Sequence, residues 1–255
     1  MPTRFVDFMR VLVPMAGDDT TPEGEQVNIY GNHVGSWNFA ATAYLNRWKV
    51  KIYYEHYFDD HSQMFFQYGR WKDGHIGLEI TFPKNRFIDT FVYEGLGTKD
   101  QTGPMLYDSF WGEFEEQISA KDNYYNHYLY QGWQHWGMGI GNPLLPGPIY
   151  NKNGQITFIS NRVLAHHIGF CGSPCQSLSY RMLLSYSRHW GTYDNPLNEI
   201  KKQFNSLFEV TYAPQQLKGW SFTVSGAMDR GNLLGNNYGG MLVIRKQGII
   251  KSGNK

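Results

Sequence analysis

The stretch Trp37-Asn-Phe-Ala-Ala-Thr-Ala-Tyr-Leu45, Asn46-Arg47, Trp48-Lys-Val-Lys-Ile-Tyr-Tyr-Glu-His-Tyr-Phe58 alternates apolar and polar side chains at period two on both sides of a two-residue break. Trp37, Phe39, Ala41, Ala43 and Leu45 fall on one face, and Ser36, Asn38, Ala40, Thr42 and Tyr44 on the other. Past the break, Trp48, Val50, Ile52, Tyr54 and Phe58 carry the apolar face, opposite Lys49, Lys51, Tyr53, Glu55 and Tyr57. A two-residue hairpin sets its flanking residues side by side on one face, so Leu45 must pair with Trp48. Both belong to the apolar set, and the register is self-consistent.

The alternation recurs. Ile76, Leu78, Ile80 and Phe82 oppose His75, Gly77, Glu79 and Thr81; Leu178, Tyr180, Met182, Leu184 and Tyr186 oppose Ser179, Arg181, Ser185 and Ser187; Trp220, Phe222, Val224 and Met228 oppose Ser221, Thr223, Ser225 and Asp229. A further strand is expected from Phe87 to Leu96, with Asp89 breaking its apolar face, and a strand-like run from Gln155 to Ile159 follows a turn at Asn151-Lys-Asn-Gly154. The connections read long (14–33), short (46–47), long (59–74), short (83–86), very long (97–155), short (171–177), long (190–204), short (213–218) and long (230–238). Short turns at one end and long loops at the other are the signature of an outer-membrane β-barrel. The expected fold is therefore all-β, an antiparallel transmembrane barrel of about ten strands. It runs as one domain over residues 1–255, from an outward strand near 4–13 to an inward one near 239–247.

Composition fits this reading. The chain is 41% hydrophobic with a mean hydropathy of −0.49, as expected where half of each strand faces a polar lumen. No run of about 18 apolar residues offers a membrane-spanning helix. The 18 tyrosines, 16 phenylalanines and 8 tryptophans suit interfacial girdles or a sugar-binding surface. A net charge of +1 gives no case for nucleic acid. Cys171 and Cys175 frame an expected turn, where an oxidising compartment would permit a disulfide. They lack the partners and spacing of a zinc or redox site. Met1 to Arg10 has no apolar core of a secretory signal, since Asp7 and Arg10 interrupt it.

Several blocks resemble the Wzi-like capsule assembly proteins in the form found in Bacteroidetes. They are Tyr30-Gly-Asn-His-Val-Gly-Ser36, Glu55-His-Tyr-Phe-Asp-Asp-His-Ser-Gln-Met64, Trp71-Lys-Asp-Gly-His-Ile-Gly-Leu78, Asp122-Asn-Tyr-Tyr-Asn-His-Tyr128, Gly132-Trp-Gln-His-Trp-Gly-Met138, Gly191-Thr-Tyr-Asp-Asn-Pro196 and Asp229-Arg-Gly-Asn-Leu-Leu-Gly235. The resemblance implies an outer-membrane barrel of roughly eighteen strands. Such a barrel acts as a non-catalytic surface lectin for capsular polysaccharide, and this chain is similar to its C-terminal portion.

The expected glycan-binding residues lie in the longest loop: Trp111, Asp122, Asn123, Tyr124, Tyr125, Tyr128, Trp133, His135 and Trp136. Flat aromatic faces pack on a pyranose ring while amides, carboxylates and imidazoles bond its hydroxyls. The bland alternative is that these aromatics fold the loop into a cap over the lumen. Lys49, Lys51, Glu55, Glu79, Arg181, Glu209 and Asp229 are expected to face the lumen and pair between neighbouring strands. No cofactor or metal is expected, because the adjacent Asp59, Asp60 and His61 do not converge on one ion. The other functional readings are a porin-like channel and an outer-membrane hydrolase. The hydrolase would draw on His33 and Ser36, His61 and Ser62, or the carboxylates Glu113, Glu115, Glu116 and Asp122. Capsular or other surface polysaccharide and outer-membrane lipid are the expected partners, and a monomer is the expected state.

Overall fold

A computed structural model describes residues 4–13, 15–21, 26, 33–59, 73–104, 119–121, 123–127 and 131–248. Among the described residues, the α-helix α1 (Phe5–Leu12) precedes thirteen strands. They are β1 (Val34–Leu45), β2 (Trp48–Asp59), β3 (Gly74–Thr81), β4 (Thr90–Gly97), β5 (Thr102–Pro104), β6 (Ser119–Lys121), β7 (Gln134–His135), β8 (Met138–Gly139), β9 (Val163–Cys175), β10 (Leu178–Gly191), β11 (Pro196–Tyr212), β12 (Trp220–Gly231) and β13 (Asn237–Lys246). Nine of them form one antiparallel sheet in the order β1-β2-β3-β4-β9-β10-β11-β12-β13, while β5-β6 and β7-β8 are short hairpins within the β4–β9 insertion. The protein is all-β, and each strand of the large sheet pairs with its neighbour in the chain apart from that insertion. Among the described residues β1 and β13 are unpartnered edges.

The hairpin register is as the alternation requires: Leu45 pairs with Trp48 and Val34 with Asp59, with Asn46 at φ 57 in the tight turn. Following that register across all nine strands separates two faces. The apolar face carries Trp37, Phe39, Ile52, Ile76, Ile168, Phe208, Val224 and Leu242, all solvent-exposed, and no Asp or Glu occupies it in any of the nine strands. The polar face carries the seven charged positions expected there from the sequence. Lys49 reaches Glu79 (3.7 Å), Arg181 reaches Glu209 (3.3 Å), and Asn205 donates to Asp229 (2.7 Å). Lys51 pairs with Glu79 across the strands and lies over the Tyr53 ring.

Among the described residues, the one cluster of buried apolar side chains sits on the polar face of the sheet, at one end, beneath the insertion. Leu96, Val163 and Ala165 of the sheet pack with Tyr125, Leu145 and Phe158 of the insertion, flanked by Val34, Tyr57, Trp133 and Leu144. The long loop therefore folds back over the polar side of the sheet.

Five expectations from the sequence are corrected. Residues 5–12 are helical, because Asp7 and Arg10 stand three apart on one helical face and the Asp7 carboxylate accepts the Arg4 N–H (3.0 Å), closing the first turn. The connections after β10 and β12 are only 192–195 and 232–236, since the strands run on to Gly191 and Gly231. The alternation of short and long loops thus holds in the first half of the chain alone. β4 begins at Thr90, because the Asn85 side chain accepts from the N–H groups of Phe87 and Ile88 and ties the preceding residues into a turn. Residues 155–159 form no strand. The main sheet holds nine strands where about ten are expected.

Cys171 and Cys175 both lie within β9, and both are free thiols. Cys171 pairs with Arg181 and Cys175 with Leu178, on either side of a bulge that accommodates Pro174. Four strand residues span about 13 Å, well beyond the roughly 7 Å that a disulfide bridges. Thiol titration of the unfolded protein without reductant is expected to find both thiols. A result of none would overturn the strand assignment.

Candidate functional site

Two rows of polar-face side chains cross the sheet below the insertion. Tyr53, Gly77, Glu94, His167 and Ser185 stand opposite one another from β2 to β10. Glu55, His75, Leu96, Ala165 and Ser187 form the next row toward the insertion. Gly77 makes the first row possible. A Cβ there would collide with the Tyr53 ring, so the missing side chain lets the phenol lie across β3 and donate to Glu94 Oε1. His75 sits between the two carboxylates, with Nδ1 3.6 Å from Glu55 Oε2 and Nε2 3.4 Å from Glu94 Oε1. Ser36 donates to Glu55 Oε1 (2.6 Å), and the His167 Nδ1 lies 2.7 Å from Ser185 Oγ.

Above these rows is a cavity of about 640 Å³, closed on the other side by the insertion. Its floor is Ser36, Glu55, Tyr57, His75, Glu94, His167 and Ser185; its roof is Tyr125, Trp133, Ile140, Asn142 and Leu144. Tyr125 and Trp133 stack at 6.4 Å, and Phe158 meets Tyr125 edge-on at 5.1 Å. The Trp133 Nε1 is buried without a hydrogen-bond acceptor among the described residues. A buried donor left unmatched costs about 1–3 kcal/mol. No Lys or Arg is among the described lining residues, whose titratable side chains include Glu55, Glu94, His75 and His167.

The roof is held by a polar latch. Asp73, immediately before β3, accepts the N–H groups of Asp100 (2.8 Å) and Gln101 (2.5 Å) and the Tyr124 hydroxyl (2.9 Å). Asn161 donates to Asn123 Oδ1 (2.5 Å) and to the Tyr124 carbonyl (2.8 Å), and Asn126 exchanges two bonds of 2.8 Å with the Phe158 backbone. Tyr125, at φ 70, offers its hydroxyl oxygen to the Asn142 N–H (3.2 Å). Burial pushes the Asp73 carboxyl above its ordinary range, against the three donors that favour its charged form. Burial, with His33 nearby, holds the His127 imidazole below its ordinary value.

The glycan-binding residues expected from the sequence divide accordingly. Tyr125 and Trp133 line the cavity. Asn123 and Tyr124 belong to the latch, with their polar groups engaged inside the protein. His135 and Trp136 form the tip of the β7–β8 hairpin, where Trp136 adopts φ 51 and is 85% exposed, away from the cavity. Trp111, Asp122 and Tyr128 lie outside the described residues, as do Asp60, His61, Ser62, Glu113, Glu115 and Glu116. Of the charged positions, Glu55 alone reaches the cavity. His75, Glu94, His167 and Ser185 were not singled out, although each stands at a polar position of an alternating strand. His33 and Ser36 do not act together, since His33 Nε2 meets the Val11 carbonyl (2.6 Å) while Ser36 bonds Glu55.

Two carboxylates flanking a scissile glycosidic bond need the sugar between them, and here an imidazole occupies that space. Aromatic walls with dispersed hydroxyl, amide and carboxylate groups form the usual lining of a saccharide site. Compared with protein-family models, with curated proteins and with solved structures, the chain matches none.

Proposed function

We propose that this protein is part of an outer-membrane β-barrel that binds a surface polysaccharide, of the kind that builds a capsule, in the cavity between its sheet and its insertion. The observation that carries the binding reading is the cavity itself. It combines two stacked aromatic rings with a floor of bonded polar groups. The resemblance of the sequence blocks to Wzi-like capsule assembly proteins supports the choice of polysaccharide.

The membrane reading draws on the apolar face. From Phe204 to Tyr212 on β11 that face spans nine residues, within the roughly 9–11 of a tilted strand that crosses an outer membrane. A water-facing surface of that extent without a carboxylate would be an aggregation hazard. The two free edges support a larger barrel. β1 and β13, first and ninth of an antiparallel meander, run in the same direction, so direct pairing would be parallel. Antiparallel closure needs an odd number of further strands between them. The apolar core on the polar face argues for a plugged lumen against an open channel. Planar-bilayer recordings of folded protein are expected to show no steady conductance, and a stable open pore would sink that choice.

Trp133→Ala is expected to weaken saccharide binding by roughly 5–30-fold, the equivalent of about 1–2 kcal/mol for a lost ring face. Trp136→Ala is expected to leave it unchanged. Isothermal titration with purified surface polysaccharide separates the two; equal effects would remove the cavity as the site. Because the floor carries two carboxylates and no Lys or Arg is among the described lining residues, a neutral or amino sugar chain should compete better than a uronic-acid chain. Better competition by the uronate would contradict the site's charge. The hydrolytic alternative rests on Ser185 and His167, and product release that vanishes in Ser185→Ala would establish it in place of binding.

A further inference from the structure

The apolar face is free of carboxylates throughout its strands, yet at the insertion end it gathers cations. Arg188 and Lys202 stand opposite each other on β10 and β11, and Arg230 lies one strand further, opposite Phe204 and one row away. Arg162 joins them through backbone bonds to β10, its N–H donating to the Gly191 carbonyl (3.1 Å) and its carbonyl accepting from Trp190 (3.0 Å). Lys99 lies over the Trp190 ring at 4.6 Å with Arg188 on the same ring at 5.4 Å, and Arg162 lies 5.4 Å over Tyr193.

None of these five cations forms an ion pair with another described residue. Asp73 and Asp100 line the cleft that Lys99, Arg162 and Tyr193 share, but the Asp73 oxygens are taken by the latch. Glu199, on the neighbouring β11, is held by Lys201 at 2.6 Å. At the opposite rim the strands of the apolar face carry one cation, Lys246, set against Trp220 at 5.5 Å, and Arg47, Lys84, Arg86 and Lys218 stand in the turns of that end. A cationic belt on one rim of a lipid-sized band, backed by Trp and Tyr, sits at the depth of the headgroups.

We propose that Lys99, Arg162, Arg188, Lys202 and Arg230 bind the phosphate groups of an anionic glycolipid in the leaflet on the insertion side. The belt ties the barrel to that leaflet and fixes its depth there. Guanidinium groups suit this role, since they present paired N–H donors to a phosphate, and Arg162 and Arg188 can do so with their planar faces on an aromatic ring. The inference rests on the membrane reading above, and its test keeps the two apart.

The protein is refolded into phosphatidylcholine vesicles, with and without a diphosphorylated glycolipid of the lipid A type, then extracted in mild detergent. The co-extracted glycolipid is counted by native mass spectrometry. Wild-type protein should retain the diphosphorylated glycolipid at least ten-fold over its dephosphorylated form, and the triple variant Arg188→Gln, Lys202→Gln, Arg230→Gln should lose that preference. Heat-modifiable gel mobility and saccharide binding, which belongs to the other face, show whether the variant is folded. A folded variant that retains the glycolipid like wild type overturns the proposal. So does equal retention of the dephosphorylated lipid, or full displacement by millimolar inorganic phosphate, which would mark a site for the free ion. Failure to insert into phosphatidylcholine alone would instead bring down the membrane reading, and this proposal with it.

Discussion

Val224→Arg is expected to cost about 2–4 kcal/mol of stability in a bilayer, the penalty for a cation near the midplane of a barrel's lipid-facing wall. Val224 lies in the middle of β12, between Val210 and Leu242 on the apolar face, and is 61% exposed. If that exposure were to water, adding a charge would change stability by about 0.5 kcal/mol or less. The two environments thus predict opposite outcomes from one substitution. Thr223→Arg, one residue away on the polar face, serves as control and is expected to cost under about 1 kcal/mol. Urea titration of protein refolded in vesicles measures both. Equal small effects would mean that the apolar face does not meet lipid.

Asp73→Ala is expected to release the insertion from the sheet, raising local exchange of the Asp100 and Gln101 amides by the equivalent of about 2–5 kcal/mol. Removing the carboxylate strands two backbone donors and the Tyr124 hydroxyl in a buried place. Hydrogen exchange localises the loss. The apolar-face strands should keep their protection, and the cavity should lose ligand, because its roof is carried by the latched segment. Unchanged exchange at Gln101 would show that Asp73 holds nothing.

The pH dependence of the latch has a definite sign. A carboxyl with a folded pKa above its ordinary 3.8 binds a proton more tightly folded than unfolded. Its contribution to stability is complete below the unfolded value and is lost as pH rises through the folded one. Mild acid should therefore leave Asp73 at least as well accommodated as at neutrality. Loosening of residues 100–101 on acidification would contradict this.

How much was legible beforehand differs by element. The β1–β2 hairpin could be read to the residue, because a two-residue turn and one buried-or-exposed choice per strand leave a single register. The helix at Phe5–Leu12 was misread as a strand, since a short segment flanked by apolar residues matches either period until Asp7 is seen to cap it. The loops after β10 and β12 were overestimated because Trp190, Lys201 and Arg230 look like loop residues. On this sheet they continue strands past the apolar band, where charge at the rim is tolerated.

Local alternation, a property of neighbouring residues, was enough to establish an antiparallel all-β chain with one apolar and one polar face. It also marked Tyr125 and Trp133 as aromatic residues of the long connection. It could not bring Glu94 beside His167, because 65 residues separate β4 from β9 and only the closing of that loop aligns them. Nor could it tell Trp133, turned into a cavity, from Trp136, turned out at φ 51, although three residues separate them. Pairing across distant strands and the folding of an insertion back onto a sheet are long-range choices. They are settled by which donors, such as those around Asp73, find acceptors once the core is formed.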